Sequence, residues 1–125
     1  RLGVIRVSIF LGGIDMGYTN SPLVVYTKLS PTIPDREHTS IDRITPHCVV
    51  GQLSAESICG CFTSPTRQAS CNYGIGTDGR VSLCVEEKNR SWCSSSNSND
   101  QRAVTIECAS DMNEPYAMNS AVYNS

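Results

Sequence analysis

Cys71-Asn72-Tyr73-Gly74-Ile75-Gly76-Thr77-Asp78-Gly79-Arg80-Val81-Ser82-Leu83-Cys84-Val85 is the stretch that frames this chain. Two short, largely apolar segments, Cys71 to Gly76 and Arg80 to Val85, flank Thr77-Asp78-Gly79. A loop ending in Asp-Gly between such segments predicts a hairpin, because glycine accepts the positive φ that tight turns require. Downstream, Arg102-Ala103-Val104-Thr105-Ile106-Glu107-Cys108-Ala109 predicts a strand over Ala103 to Cys108. Its period of two puts Val104, Ile106 and Cys108 on one face and Thr105 and Glu107 on the other. Upstream, Ile41 to Val50 holds Ile44-Thr45-Pro46-His47-Cys48 and also reads as a strand. Proline lacks a ladder donor, so Pro46 belongs at an edge, a bulge or an unpaired point.

Between these strands a short helix is expected from Ser54 as N-cap, with Ile58, Cys61 and Phe62 on its apolar side. Trp92 to Gln101, rich in Ser and Asn, reads as a loop; beyond Asp111 a polar loop leads to a helix beginning near Asn119 or Ser120. Tyr18 to Arg43, broken by Pro22, Pro31 and Pro34, reads as an extended lead-in, with Leu23 to Val25 touching the body. No repeat or second domain is visible. Strands and helices alternate, which gives an α/β or α+β class with a mixed sheet.

A chain of 125 residues suffices for one domain with a modest core. Its net charge of -2, with ten scattered Lys and Arg, argues against a nucleic-acid surface. No apolar run approaches the roughly 20 residues of a membrane-spanning helix. Seven cysteines are many for this length, but an odd number cannot close into intrachain bridges alone. The N-terminus shows no convincing secretory signal. The cysteines are therefore expected to be mostly reduced thiols acting as small hydrophobes, with Cys48, Cys84 and Cys108 in apolar strand patterns.

Leu11-Gly12-Gly13-Ile14-Asp15-Met16 can be encoded by a purine-rich GGAGG tract just ahead of an ATG. Residues 1–15 are accordingly expected to be upstream DNA translated through, with native translation starting at Met16. The competing reading is an ordinary N-terminal strand over Val4 to Phe10. Mass spectrometry of the native product decides, since a peptide spanning Asp15 and Met16 rules out the read-through.

Three residues in these segments carry chemistry. His47 lies inside a strand, where a histidine is either a metal ligand or a core side chain satisfied by a carbonyl. Tyr73 opens the hairpin strand, where tyrosine also packs well. Glu107 is the least expected, because a carboxylate in an apolar strand loses hydration unless it is paired or functional. His38, in a charged Pro-flanked stretch, reads as exposed. Cys59-Gly60-Cys61 lacks the Cys-x-x-Cys spacing of a zinc knuckle and reads as packing.

Taken in order, the segments around His47, Tyr73-to-Arg80 and Glu107 resemble the zinc-dependent N-acetylmuramoyl-L-alanine amidases. That superfamily is shared by phage endolysins, bacterial autolysins and peptidoglycan recognition proteins. The likeness runs from about Tyr18 to the end and is strongest to endolysin-like amidases of gut Firmicutes and their phages. It implies an α/β fold with a mixed central β-sheet, flanking helices and Zn2+ at one end of the sheet. It implies His47 as a zinc ligand, Glu107 as general base and Tyr73 as a donor to the oxyanion. Trp92, Ser95 and Asn99 fall where the family borders its substrate groove. The implied substrate is bacterial peptidoglycan, cut between N-acetylmuramic acid and L-alanine. The family's other two ligands lie past the helix near Ser120, so residues 16–125 would be the N-terminal part of one amidase domain, truncated and inactive alone. The alternative is a non-catalytic muropeptide-binding module. An endolysin of this kind would stay cytoplasmic until lysis or a holin released it to the wall.

Overall fold

The computed structural model describes residues 19–31, 35–36, 40–64, 66–67 and 69–125. The proposed read-through of residues 1–15, the start at Met16, the competing strand over Val4 to Phe10 and the exposure of His38 lie outside the described residues. In chain order the elements are β1 (Val24–Thr27), β2 (Arg43–Cys48), α1 (Ala55–Gly60), β3 (Tyr73–Ile75), β4 (Val81–Leu83), α2 (Asn97–Asp100), β5 (Ala103–Cys108) and α3 (Ser120–Tyr123). The five strands form one sheet in the order β1-β4-β3-β5-β2. The hairpin β3–β4 is antiparallel, while β1–β4, β3–β5 and β5–β2 are parallel. The sheet is therefore mixed, as expected.

The hairpin forms where Asp-Gly allows it. Gly79 sits at φ 83°, its N–H donates to the Gly76 carbonyl at 2.8 Å, and Gly76 N–H closes onto Arg80 at 2.9 Å. β2 is an edge strand, and this accommodates Pro46. The amides of Arg43 and Val49 donate toward β5, to the carbonyls of Arg102 and Cys108. By the period of two, the Pro46 nitrogen faces the open edge, where no ladder bond is lost. The Leu23 to Val25 region does more than touch the body, for β1 joins the sheet as the opposite edge. Trp92 to Gln101 is not wholly loop, because Ser96 accepts from Asn99 N–H and starts the single turn α2.

Two apolar layers lie on the two faces of the sheet. Tyr73, Ile75, Val81, Leu83, Val104, Ile106 and Cys108 pack with Val122 of α3 on one face. On the other, Ile58, Cys59 and Phe62 pack with Cys71 and Cys84. Ser54 caps α1 by accepting from Ser57 N–H at 3.1 Å. Ile58 is fully buried, and its truncation to alanine is expected to cost about 2–5 kcal/mol. The helix sits low on the sheet because β3 presents Gly74 beneath it. A Cβ there would stand 2.7 Å from both Ile58 Cγ2 and Ser82 Oγ. Asn72, also fully buried, donates through Nδ2 to the carbonyls of Val85, Glu86 and Asn89 and accepts from Thr105 N–H at 3.1 Å. It ties the ends of the hairpin to β5.

The expectation of reduced cysteines needs two corrections. Cys59 and Cys84 form a disulfide with a Cα–Cα distance of 5.3 Å, joining α1 to the residue after β4. Seating the helix over Gly74 brings the two into bridging range, which a strand pattern alone does not reveal. Cys48, read as part of an apolar pattern, is exposed because β2 is an edge. Cys61, Cys71, Cys93 and Cys108 are free thiols, as is Cys48.

Candidate functional site

The site grows from the parallel pairing of β2 with β5. In that register His47 stands directly beside Glu107, and both are half-buried on the α1 side of the sheet. On the other flank of Glu107 the neighbour in β3 is Gly74, which has no side chain to cover it. Cys93 completes the group. One ligand atom from each of His47, Cys93 and Glu107 lies within 4.8 Å of the others. The Cys93 thiol donates to Glu107 Oε1 at 3.5 Å.

Cys93 is held there by its backbone. Buried Asp100 accepts from Cys93 N–H at 3.1 Å, from Ser94 N–H and from Ser94 Oγ at 2.7 Å. Trp92, one residue earlier, is clamped to Ser70, with Trp92 N–H donating to Ser70 Oγ at 3.0 Å and Ser70 N–H to the Trp92 carbonyl at 3.1 Å. The loop is thus fixed on both sides of the thiol.

A cleft of about 270 Å³ opens onto this group, lined among others by Glu107, Cys93, Trp92, Phe62 and Arg67. Arg67 lies over the Phe62 ring at 5.4 Å. Burial pushes the Glu107 carboxyl above its usual range, while the Cys93 hydrogen bond and the charges of His47 and Arg67 pull it back. Burial, and then the carboxylate beside it, push the Cys93 thiol up. Imidazole, thiol and carboxylate are the donors that zinc takes, so the residues present fit that ion.

The other sequence-predicted residues fall differently. Tyr73 is not brought to this group, and its expected role as oxyanion donor is corrected. It pairs with Ile106, not Glu107, so its side chain leaves the opposite face of the sheet. There it is fully buried, donating to Glu87 Oε1 at 2.6 Å and accepting from Ser21 N–H at 2.8 Å. No substrate reaches a phenol so enclosed. Trp92 does line the cleft. Exposed Ser95, at φ 58°, lines a neighbouring depression with Arg90, Trp92 and Asp100. Asn99 is drawn into the frame, donating to Thr45 Oγ1 at 3.0 Å and so bracing β2 two residues before His47.

Sequence reasoning missed Cys93 and Arg67. Trp92-Cys93 sits in a stretch read as loop, where a lone cysteine gives no spacing signal. Only the Asp100 clamp, seven residues on, aims it at β5.

Comparison with known proteins supports the fold and the family. A search of curated proteins finds no significant sequence match. A mutant endolysin from Bacillus subtilis aligns with a TM-score of 0.56 at 14% identity, covering 78% of this chain and 66% of that one. The structure of PlyL aligns with a TM-score of 0.56 at 12% identity, covering 79% of this chain and 65% of that one. The chain thus spans just under two thirds of either solved chain. At such identities the likeness speaks for the fold, an α/β arrangement with a mixed sheet. A family model described as N-acetylmuramoyl-L-alanine amidase matches residues 37–125, which include β2, the hairpin and β5. On that match, taking in His47, Cys93 and Glu107 alike, the chain belongs to the N-acetylmuramoyl-L-alanine amidase family.

Proposed function

We propose that this chain is the front part of a peptidoglycan hydrolase, cleaving the amide between N-acetylmuramic acid and L-alanine with zinc bound at His47. The observation that carries the reading is the side-by-side placement of His47 and Glu107, with Glu107 lining a cleft, in a chain of the amidase family. Zinc, when bound, would supply Lewis acidity to the scissile carbonyl and to the attacking water. Glu107 then takes the proton of that water and returns it to the leaving L-alanine nitrogen. A carboxyl lifted by burial suits the task, because a base works best with a pKa near the working pH. Trp92 offers an apolar wall for the sugar or stem peptide, Ser95 lines the neighbouring depression, and Asn99 acts indirectly by bracing β2. Arg67, the cation lining the cleft, replaces Tyr73 as the group able to steady negative charge.

A catalytic zinc takes three protein ligands and keeps one position open. With His47 as the first, and the family's other two expected past α3, the 125-residue chain alone should not turn over. The test is to incubate peptidoglycan sacculi with the chain extended through those ligands. New L-alanine amino termini, absent with Glu107→Gln or a chelator, are expected. New reducing ends without new amines would mean that the sugar chain is cut and overturn the reading. Tight binding without either product would make the protein a muropeptide-binding module.

A further inference from the structure

We propose that Cys93 is a metal ligand: this chain holds one thiophilic divalent cation through the His47 imidazole, the Cys93 thiolate and the Glu107 carboxylate. The inference shares His47 with the amidase reading but adds a thiolate from the 91–96 loop and uses Glu107 as a ligand. Three kinds of donor from three separate segments converge within 4.8 Å. Donor atoms 2.0–2.3 Å from a tetrahedral metal stand about 3.3–3.7 Å from one another. Cys93 Sγ and Glu107 Oε1 are already 3.5 Å apart, so side-chain rotation closes the rest.

The backbone is prepared for this arrangement. His47 and Glu107 are fixed by one rung of the sheet, and Cys93 by the Asp100 clamp. Charge is consistent as well. A divalent cation with one thiolate and one carboxylate is neutral, so Arg67, lining the same cleft, faces no net positive centre. On binding, the Cys93 S–H bond breaks, its proton goes to buffer and an S–metal bond forms, with no redox change. A thiolate in the set selects zinc, cobalt or cadmium over magnesium or calcium. While Glu107 ligates it is no base, so this is a resting state that does not turn over.

Cobalt(II) titration of the 125-residue chain, under argon and without reductant, tests the proposal. One equivalent should bind with a thiolate-to-cobalt charge-transfer band in the near ultraviolet. Cys93→Ser should abolish the band and weaken binding by about tenfold or more. Cys93→His should lose the band but keep tight binding, which separates ligation from a merely structural thiol. Far-ultraviolet circular dichroism verifies that each variant is folded. If Cys93→Ser keeps both band and affinity while His47→Ala weakens binding, the Cys93 proposal is overturned and the His47 reading stands. If neither variant changes binding, both are overturned.

Discussion

Glu87 and Glu107 are both taken largely out of water, and burial pushes both carboxyls above their usual range. Their surroundings are otherwise opposite. Glu87 is fully buried on the Tyr73 side, with Oε1 accepting from the Tyr73 hydroxyl and no partner for Oε2 among the described residues. Glu107 is half-buried on the α1 side, opens onto a cleft and has His47 and Cys93 as neighbours. Desolvation by itself therefore does not mark a site. Access and the neighbouring donors do, and by that measure one glutamate closes a core while the other is placed for chemistry.

The sharpest way to break this contrast is to neutralise each glutamate in the catalytically complete protein. Glu107→Gln should lower kcat by about 10²–10⁴-fold, the usual worth of a general base. Glu87→Gln should leave kcat of the folded protein within about twofold, because its carboxyl is fully buried against Tyr73 on the opposite face of the sheet. Release of L-alanine amino termini measures both. A large kcat loss with Glu87→Gln at full folding would show that the two faces are coupled.

Next in size is the disulfide, which lies on the Glu107 side alone. Closing a loop across the 25-residue separation of Cys59 and Cys84 is worth about 3 kcal/mol. The Cys59→Ala/Cys84→Ala pair should show that loss in urea unfolding. Hydrogen exchange should show α1 opening before the Tyr73 face. Equal loss of protection on both faces would mean that they unfold as one unit.

Tyr73→Phe acts on the other face. It strips a partner from Ser21 N–H and from Glu87 at once, and should cost about 1–3 kcal/mol of stability. Turnover per folded molecule should not change. A fall in kcat with stability preserved would restore the tyrosine to the catalytic group.

The Tyr73 case shows where sequence and structure part. Strand positions, the hairpin and the Ser54 cap were legible because each is written in a local pattern: period two, Asp-Gly, a serine before an amphipathic turn. The side of the sheet taken by Glu107 was legible for the same reason. Which face Tyr73 takes relative to Glu107 depends on the register of β3 against β5, set by contacts more than thirty residues apart. The Cys59–Cys84 bridge, the aim of Cys93 and the role of Arg36 are of this non-local kind. Arg36 donates to the carbonyls of Glu87, Asp100, Gln101 and Ala103 from a lead-in segment that shows no regular pattern.

The smallest effect, and the cleanest on Glu87, is the pH dependence of stability. Its carboxyl is raised in the folded chain by burial, against the Tyr73 hydrogen bond and the Arg36 charge, which lower it. The folded protein therefore holds this proton at pH values where the unfolded chain, near its ordinary 4.5, has lost it. Stability from this group is full below that value and declines as pH rises through the folded pKa. Urea midpoints of wild type and Glu87→Gln, taken from about pH 4 to 8, isolate the term. The wild type should lose ground to the variant as pH increases. A difference that stays flat, or grows in favour of wild type, would mean that Arg36 and Tyr73 hold Glu87 as a carboxylate. Burial would then not govern that side of the sheet, and the contrast with Glu107 would rest on access alone.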